Sequence, residues 1–293
     1  MRVRQSDGDG SKLEPTELAE ALAEMVGAGL TEYDTARSYG TEHLLGAALS
    51  LLPPEVLGRI SVSTKSSPVA GSQIVSAGDE SQSKGGFSRN RILEQWETSS
   101  DQLGRDSVFV LYLHNPDLVT DLDETLAALN ELWDKRVFTN FGLSNFPAWQ
   151  VMQIYMKCKE RYKFRPTVYQ GCYNPLARQC EAEIIPCCQM LGMRFNAYSP
   201  WAAGMLQSPW AAGSNSTLRG AERGRYYGGA NATVGMDGSG KSEGIGRVAS
   251  AIPTALSRID GACRAAGIPI AEATARWHFY HSAMQARGHA MYT

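Results

Sequence analysis

Six short runs rich in β-branched and aromatic residues recur along the chain, and helical stretches separate them. This alternation is the strongest constraint on the fold. The runs cover residues 31–36 (TEYDTA), 59–65 (RISVSTK), 107–114 (SVFVLYLH), 138–145 (FTNFGLSN), 167–174 (TVYQGCYN) and 193–200 (MRFNAYSP). Their starts lie 28, 48, 31, 29 and 26 residues apart, the length of one strand plus one crossover helix. The pattern predicts βα units on a parallel sheet, an α/β fold. A chain of 293 residues suits one large α/β barrel or two ordinary domains.

The intervening stretches carry helix signals. Thr16 precedes a stripe of Leu18, Leu22, Met25 and Val26 that Gly27 and Gly29 end. Ser88 can cap a helix facing inward with Ile92, Trp96 and Leu103. Asp121 and Glu124 resemble a capping box before Leu126, Leu129 and Trp133. Pro147 suits a first helical position, and Pro253 and Pro269 are expected to open two further helices. Trp96, Trp133 and Trp149 read as core. Two stretches break the rhythm. Residues 66–88 read as an insertion rich in Ser, Gly and Gln. Residues 202–250 hold 11 of the 29 glycines and read as a long loop.

Composition excludes several classes. Apolar residues make up 43% and charged residues 20%, too apolar for a disordered chain. With 28 basic and 30 acidic side chains, the formal net charge of −2 gives no reason to expect a nucleic-acid or anionic-membrane partner. No apolar run is long enough to span a membrane, and MRVRQSDGDGSK lacks the apolar core of a signal peptide. The cysteines at 158, 172, 180, 187, 188 and 263 form no C-x-x-C pair. They predict reduced thiols of a cytoplasmic protein, not a disulfide frame or zinc site.

Chemistry-bearing residues gather at the ends of the runs. Asp34 lies near the end of the first run, Lys65, His114 and Ser144 with Asn145 end the next three, Gln170 and Asn174 lie in the later part of the fifth, and Tyr198 with Ser199 end the sixth. On a parallel sheet these ends share one rim, which in βα barrels carries the catalytic groups. Tyr39 follows Asp34 by five residues. A phenol with the ordinary pKa of about 10 holds its proton too tightly to donate well at neutral pH. A nearby ammonium favours the phenolate and lowers that pKa. A carboxylate would keep the lysine charged, and a histidine could hydrogen-bond a substrate oxygen. Asp34, Tyr39, Lys65 and His114 supply this set.

The stretches TEYDTARSYGTEHLLGAAL, STK, LYLHNPD, FGLSNFPAWQV, PTVYQGCYNPLARQCE, LGMRFNAYSPWAAGML and ARWHFYHS resemble the aldo-keto reductases, in the family's order, over roughly residues 14–285. Among these they are most similar to the aflatoxin-aldehyde reductase branch. The resemblance implies a (β/α)8 TIM-type barrel that binds NADPH and reduces aldehydes and ketones. It implies Tyr39 as general acid, Lys65 as its pKa-lowering partner, Asp34 as the lysine's ion-pair mate, and His114 as the group orienting the carbonyl. Ser144, Asn145 and Gln170 match positions holding the nicotinamide carboxamide, and Tyr198 matches the aromatic stacked on the nicotinamide. Ser199, Pro200, Trp201, Ala202, Ala203, Gly204, Met205 and Leu206 match the stretch along the pyrophosphate. Trp201 and Trp210 are candidates for lining the substrate pocket. The expected partner is a small-molecule carbonyl compound, with a homodimer left open. Fungal-type secondary metabolism is one setting for such chemistry.

The first and eighth family strands find no match in QSDGDGSKLEP and the closing AMYT, so a single barrel domain incomplete at both ends is expected. The alternative function is therefore a barrel without redox activity, serving in binding, assembly or non-redox catalysis. Rival motifs are weaker. GMDGSGKS at 235–242 matches a phosphate-binding loop and GIGRVA at 244–249 a relaxed dinucleotide fingerprint, but neither follows a strand. His278, His281 and His289 read as core or surface residues, and no metal is expected.

Overall fold

The computed structural model describes residues 14–68, 86–207 and 245–281. Residues 69–85, Trp210, the stretch 235–242 and His289 lie outside the described residues. The chain divides into two compact units, Met1–Gln170 and Gly171–Thr293.

The first unit runs α1 (Pro15–Gly27), β1 (Glu32–Asp34), a 3-10 turn (Arg37–Tyr39), α2 (Glu42–Ser50), α3 (Pro54–Leu57), β2 (Ser61–Ser66), α4 (Arg89–Leu103), β3 (Val108–Leu113), α5 (Leu122–Asp134), β4 (Phe138–Ser144) and α6 (Ala148–Arg161). It ends within β5 (Pro166–Cys172). The second unit contains a 3-10 turn (Gln179–Glu181), α7 (Ile184–Leu191), β6 (Arg194–Tyr198), another 3-10 turn (Ala202–Gly204), α8 (Ile245–Ala266) and α9 (Ile270–Tyr280). Every predicted run contains a strand, and the strand order is the sequence order, β1 to β6. Each pairing from β1 to β5 is parallel. These are the βα units of the α/β class. Among the described residues, no strand precedes α1 or follows α9.

The register explains the clustering of polar residues. Asp34 lies beside Ser63, Lys65 beside Tyr112, Tyr112 beside Gly142, and Ser144 beside Gln170. Strands β2 and β3 are buried along nearly their whole length, as expected when both sheet faces are covered.

The helix starts differ in detail from the sequence signals. Glu14, not Thr16, occupies the cap of α1, and its N–H donates to Glu17 Oε2 at 3.3 Å. Ser88 sits at the cap of α4 but makes no side-chain cap bond. Glu124 Oε1 instead accepts from Arg89 N–H at 2.9 Å, so it does not complete a box with Asp121. Asp121 still caps α5 through Asp123 N–H. Pro147 and Pro269 stand one residue before α6 and α9. Pro253 lies inside α8 and does not open it.

Three further expectations change. Residues 245–250 are helical rather than loop. Trp96 is buried and Trp133 packs on Phe138 and Phe164, but Trp149 is 64% exposed on the outer side of α6. The insertion expected over 66–88 is narrower, because β2 includes Ser66 and the chain is fastened again from Gly86. Phe87 is buried and donates its N–H to Asp117 Oδ2 at 3.1 Å. Gly86 lies so close to Pro68 that an added Cβ would come within 1.8 Å of the proline carbonyl oxygen.

None of the six cysteines forms a disulfide. Burial pushes the thiols of Cys158, Cys180 and Cys188 up to about 12. No helix among the described residues is long and apolar enough to cross a membrane.

Helix α2 packs on α4 through Gly46, where a Cβ would lie 2.0 Å from the Gln102 carbonyl oxygen. Backbone cannot yield as a side-chain tip can. Gly46→Ala is therefore expected to destabilise the protein by about 1–3 kcal/mol. A urea titration should show a lower midpoint at unchanged slope. An unchanged midpoint would contradict this packing.

Candidate active site

At the end of β2, the Lys65 side chain is fully buried. Its ammonium donates to Asp34 Oδ2 from the end of β1 and to the Thr35 carbonyl at 2.8 Å. An unpaired buried ammonium would be very costly, and these two acceptors offset that cost. The same nitrogen lies 5.0 Å from the centroid of the Tyr39 ring and 5.6 Å from that of Tyr112. Tyr112 forms the floor beneath the lysine. Its ring fits because position 142 is glycine, where a Cβ would come within 2.2 Å of it.

His114 follows β3 directly. Its N–H donates to the Ser66 carbonyl at 2.9 Å, and its own carbonyl accepts from Asn145 Nδ2 at 2.8 Å. Its ring packs edge-to-face with Tyr39, centroids 5.6 Å apart. Its Nδ1 lies 3.2 Å from Ser38 Oγ. The structure thus brings Asp34, Tyr39, Lys65 and His114 together from three strand ends and one turn. A positive charge beside a phenol beside an imidazole is a constellation able to hand a proton to an oxygen.

Ser144, Asn145 and Gln170 lie on the same rim of the first unit. Ser144 is buried and accepts from Asn145 Nδ2 at 3.1 Å. Asn145 is exposed and left-handed, with φ of 65°, a conformation that asparagine tolerates. Gln170 is buried at its backbone register with Ser144.

The 198–206 segment belongs to the second unit, where side chains hold its carbonyls. Asn174 Nδ2 donates to Ser199 O at 2.9 Å, while Asn174 Oδ1 accepts from the N–H groups of Leu176 and Ala177. His278 Nε2 lies 3.1 Å from Pro200 O, and since a carbonyl only accepts, that nitrogen carries the hydrogen. Thr274 Oγ1 lies 3.4 Å from Leu206 O. Ser199 and Ala202 adopt left-handed φ of 54° and 48°. Trp201 donates its indole N–H to Ala271 O and packs against the cluster of Ala202, Met205, Leu206, Leu256 and Ile270. Its ring is thus engaged within this unit. Tyr198 is half-buried and Gly204 has φ of 97°.

Sequence reasoning missed a group beneath the turn. Glu42 has no exposed surface, and its carboxylate accepts from Thr64 Oγ1 at 2.5 Å and Ser99 Oγ at 3.0 Å. It also accepts from Arg37 Nη1 at 3.5 Å, and the same guanidinium nitrogen donates to Gln102 Oε1 at 3.2 Å. The acid therefore joins β2, α4 and the turn carrying Tyr39. The signal was present in YGTEHLLG, but a carboxylate one residue into a helix normally reads as a solvated end. Ser38, Tyr112 and Gly142 were missed for the same reason: their roles are contacts, not motifs.

His281 lies beside Tyr173, Arg178 and Glu181, and among the described residues no cluster of three or more His, Cys, Asp or Glu could hold a metal.

Comparison with known proteins gives a consistent picture. A family model described as "Aldo/keto reductase family" matches residues 4–289. The chain is 33% identical over 263 residues to human "Aldo-keto reductase family 7 member A3", covering 88% of this chain and 72% of the relative. It is 31% identical over 280 residues to human "Aflatoxin B1 aldehyde reductase member 2", covering 94% and 72%. It is 42% identical over 118 residues to "Oxidoreductase sirO" of Leptosphaeria maculans, covering 40% and 36%.

Two outcomes follow from this geometry. Glu42→Gln replaces an acceptor-only carboxylate by an amide that cannot satisfy all its donors. Hydrogen bonds to charged groups are worth about 1.5–3 kcal/mol each, and a loss of at least one is expected in denaturant unfolding. The second concerns His278, whose imidazole burial holds below its ordinary value, against the opposing pull of the Pro200 carbonyl. The unfolded chain then binds more protons than the native one in the window below about pH 6.5. Stability is full above that value and falls as pH drops through the lowered native value. His278→Asn should flatten the decline of Tm between about pH 7 and pH 5. A decline of undiminished slope would assign the effect to other groups.

Proposed function

The chain belongs to the aldo/keto reductase family, an oxidoreductase family that reduces carbonyl compounds, and we propose that it reduces an aldehyde or ketone to an alcohol with NADPH, Tyr39 serving as general acid. The observation that carries this reading is the convergence of Tyr39, Lys65, Asp34 and His114.

The residues fit a nicotinamide nucleotide. Asp34 Oδ1 is buried and has no hydrogen-bond partner in the protein, an acceptor suited to a donor from a bound molecule. Ser144, Asn145 and Gln170 would hold the carboxamide. In the second unit, Tyr198 would stack on the nicotinamide and residues 199–206 would follow the pyrophosphate. When bound, the nucleotide supplies a hydride equivalent to the carbonyl carbon. Tyr39 gives its proton to the carbonyl oxygen. Lys65 stabilises the phenolate that remains, and Asp34 holds the lysine in place. His114 orients the carbonyl by hydrogen-bonding its oxygen.

We infer an aldehyde as the substrate, with fungal-type secondary metabolism as the setting. Likeness to proteins named for aflatoxin B1 aldehyde and to a Leptosphaeria maculans oxidoreductase supports it. We further read the chain as one catalytic domain acting in the cytoplasm on a small molecule.

Fluorescence titration with NADPH, followed by assay with 4-nitrobenzaldehyde, tests the reading. Tyr39→Phe keeps the ring and removes the proton. Turnover should fall by about 10²–10⁴, the usual worth of general acid catalysis, while NADPH affinity stays nearly constant. Lys65→Met should also lower turnover. The double variant should lose far less than the product of the two effects, because both disable one proton-donating unit. Undiminished turnover in Tyr39→Phe would exclude the mechanism.

A further inference from the structure

The 3-10 turn sets Arg37, Ser38 and Tyr39 in succession, and each meets a different part of the site. Arg37 is held by Glu42 and Gln102, and Tyr39 lies beside Lys65 and His114. Ser38 Oγ lies 3.2 Å from His114 Nδ1. A neutral imidazole has one donor nitrogen and one acceptor nitrogen, and the bond made by one decides the state of the other. We propose that the Ser38 hydroxyl donates to His114 Nδ1, fixing the tautomer in which Nε2 carries the hydrogen, and so acts as a positioning residue for carbonyl binding.

Two observations carry the tautomer, and one chemical argument carries its consequence for a bound carbonyl. Among the described residues the Ser38 hydroxyl meets no other acceptor, so donation to Nδ1 is the arrangement that satisfies its hydrogen. The opposite tautomer would turn the Nε2 lone pair toward the lone pairs of a carbonyl oxygen and repel it. The His114 backbone is tied on both sides, to Ser66 and Asn145, so the ring swings only about its side-chain bonds and Ser38 is placed to stop it. The inference rests on the reductase reading for its catalytic consequence, but the tautomer itself does not.

The test is nitrogen NMR of the full chain with ¹⁵N-labelled histidine, at a pH where His114 is neutral. The His114 signals are assigned by their absence in His114→Gln. The wild-type protein should show a protonated Nε2 and an unprotonated Nδ1. Ser38→Ala should mix the tautomers, and Ser38→Thr should restore the wild-type pattern. With 4-nitrobenzaldehyde, Ser38→Ala should lower kcat/KM by about 3–10-fold, the worth of one hydrogen bond. NADPH affinity should be unchanged, and Ser38→Thr should recover the rate. A wild-type protein with the hydrogen on Nδ1 would overturn the proposal. So would a Ser38→Ala protein with wild-type tautomer. A Ser38-dependent Nε2–H tautomer in a protein that reduces no aldehyde would sink the reductase reading and leave the tautomer assignment standing.

Discussion

A lysine ammonium with no exposed surface must find its counter-charge inside the protein, and this requirement organises the first unit. Lys65 meets it with the Asp34 carboxylate and the Thr35 carbonyl, both at the end of β1. The parallel register that aligns Asp34 with Ser63 is thus a condition of stability as well as of chemistry. Slipping the pairing by one residue would turn the lysine to the other face and leave the acid without its cation. Tyr112 and Gly142 complete the enclosure from β3 and β4. The Tyr39 ring, beside this ammonium, lies within its field.

The site also rests on a second buried charge of opposite sign. Glu42 gathers hydroxyls from β2 and α4 and the guanidinium that begins the turn carrying Tyr39. The two ions differ in partners. Lys65 faces the rim, where reacting groups gather, whereas Glu42 faces the helix layer and has only protein donors. Their connection is the adjacent pair Thr64 and Lys65, whose side chains leave β2 on opposite faces.

Much of this arrangement was legible in the sequence. The strand runs stood out because a parallel sheet covered on both faces demands continuous apolar stretches. Asp34, Lys65 and His114 stood out because each lies at or near the end of such a run. Helix boundaries were less legible. Pro253 is a strong start signal locally, yet it lies inside α8. Glu124 fits a capping box by spacing, but its carboxylate finds Arg89 on the neighbouring helix instead. Trp149 has the spacing of a core residue and the position of a surface one. Ser38 carries no signature and Glu42 only that of a solvated helix end, since a serine or glutamate acquires such a role only from what packs beside it.

The close approach of Gly86 to Pro68 has a consequence for how this rim can diversify. The two residues bracket positions 69–85 and meet backbone to backbone. Phe87 and Asp117 then fasten the returning chain. Whatever lies between such a fixed pair of gateposts can change in length without moving β2 or α4. The entropic cost of lengthening grows only logarithmically, about 0.6 kcal/mol for each doubling. In loop-closure entropy alone, a change of length between these two residues therefore costs the fold little.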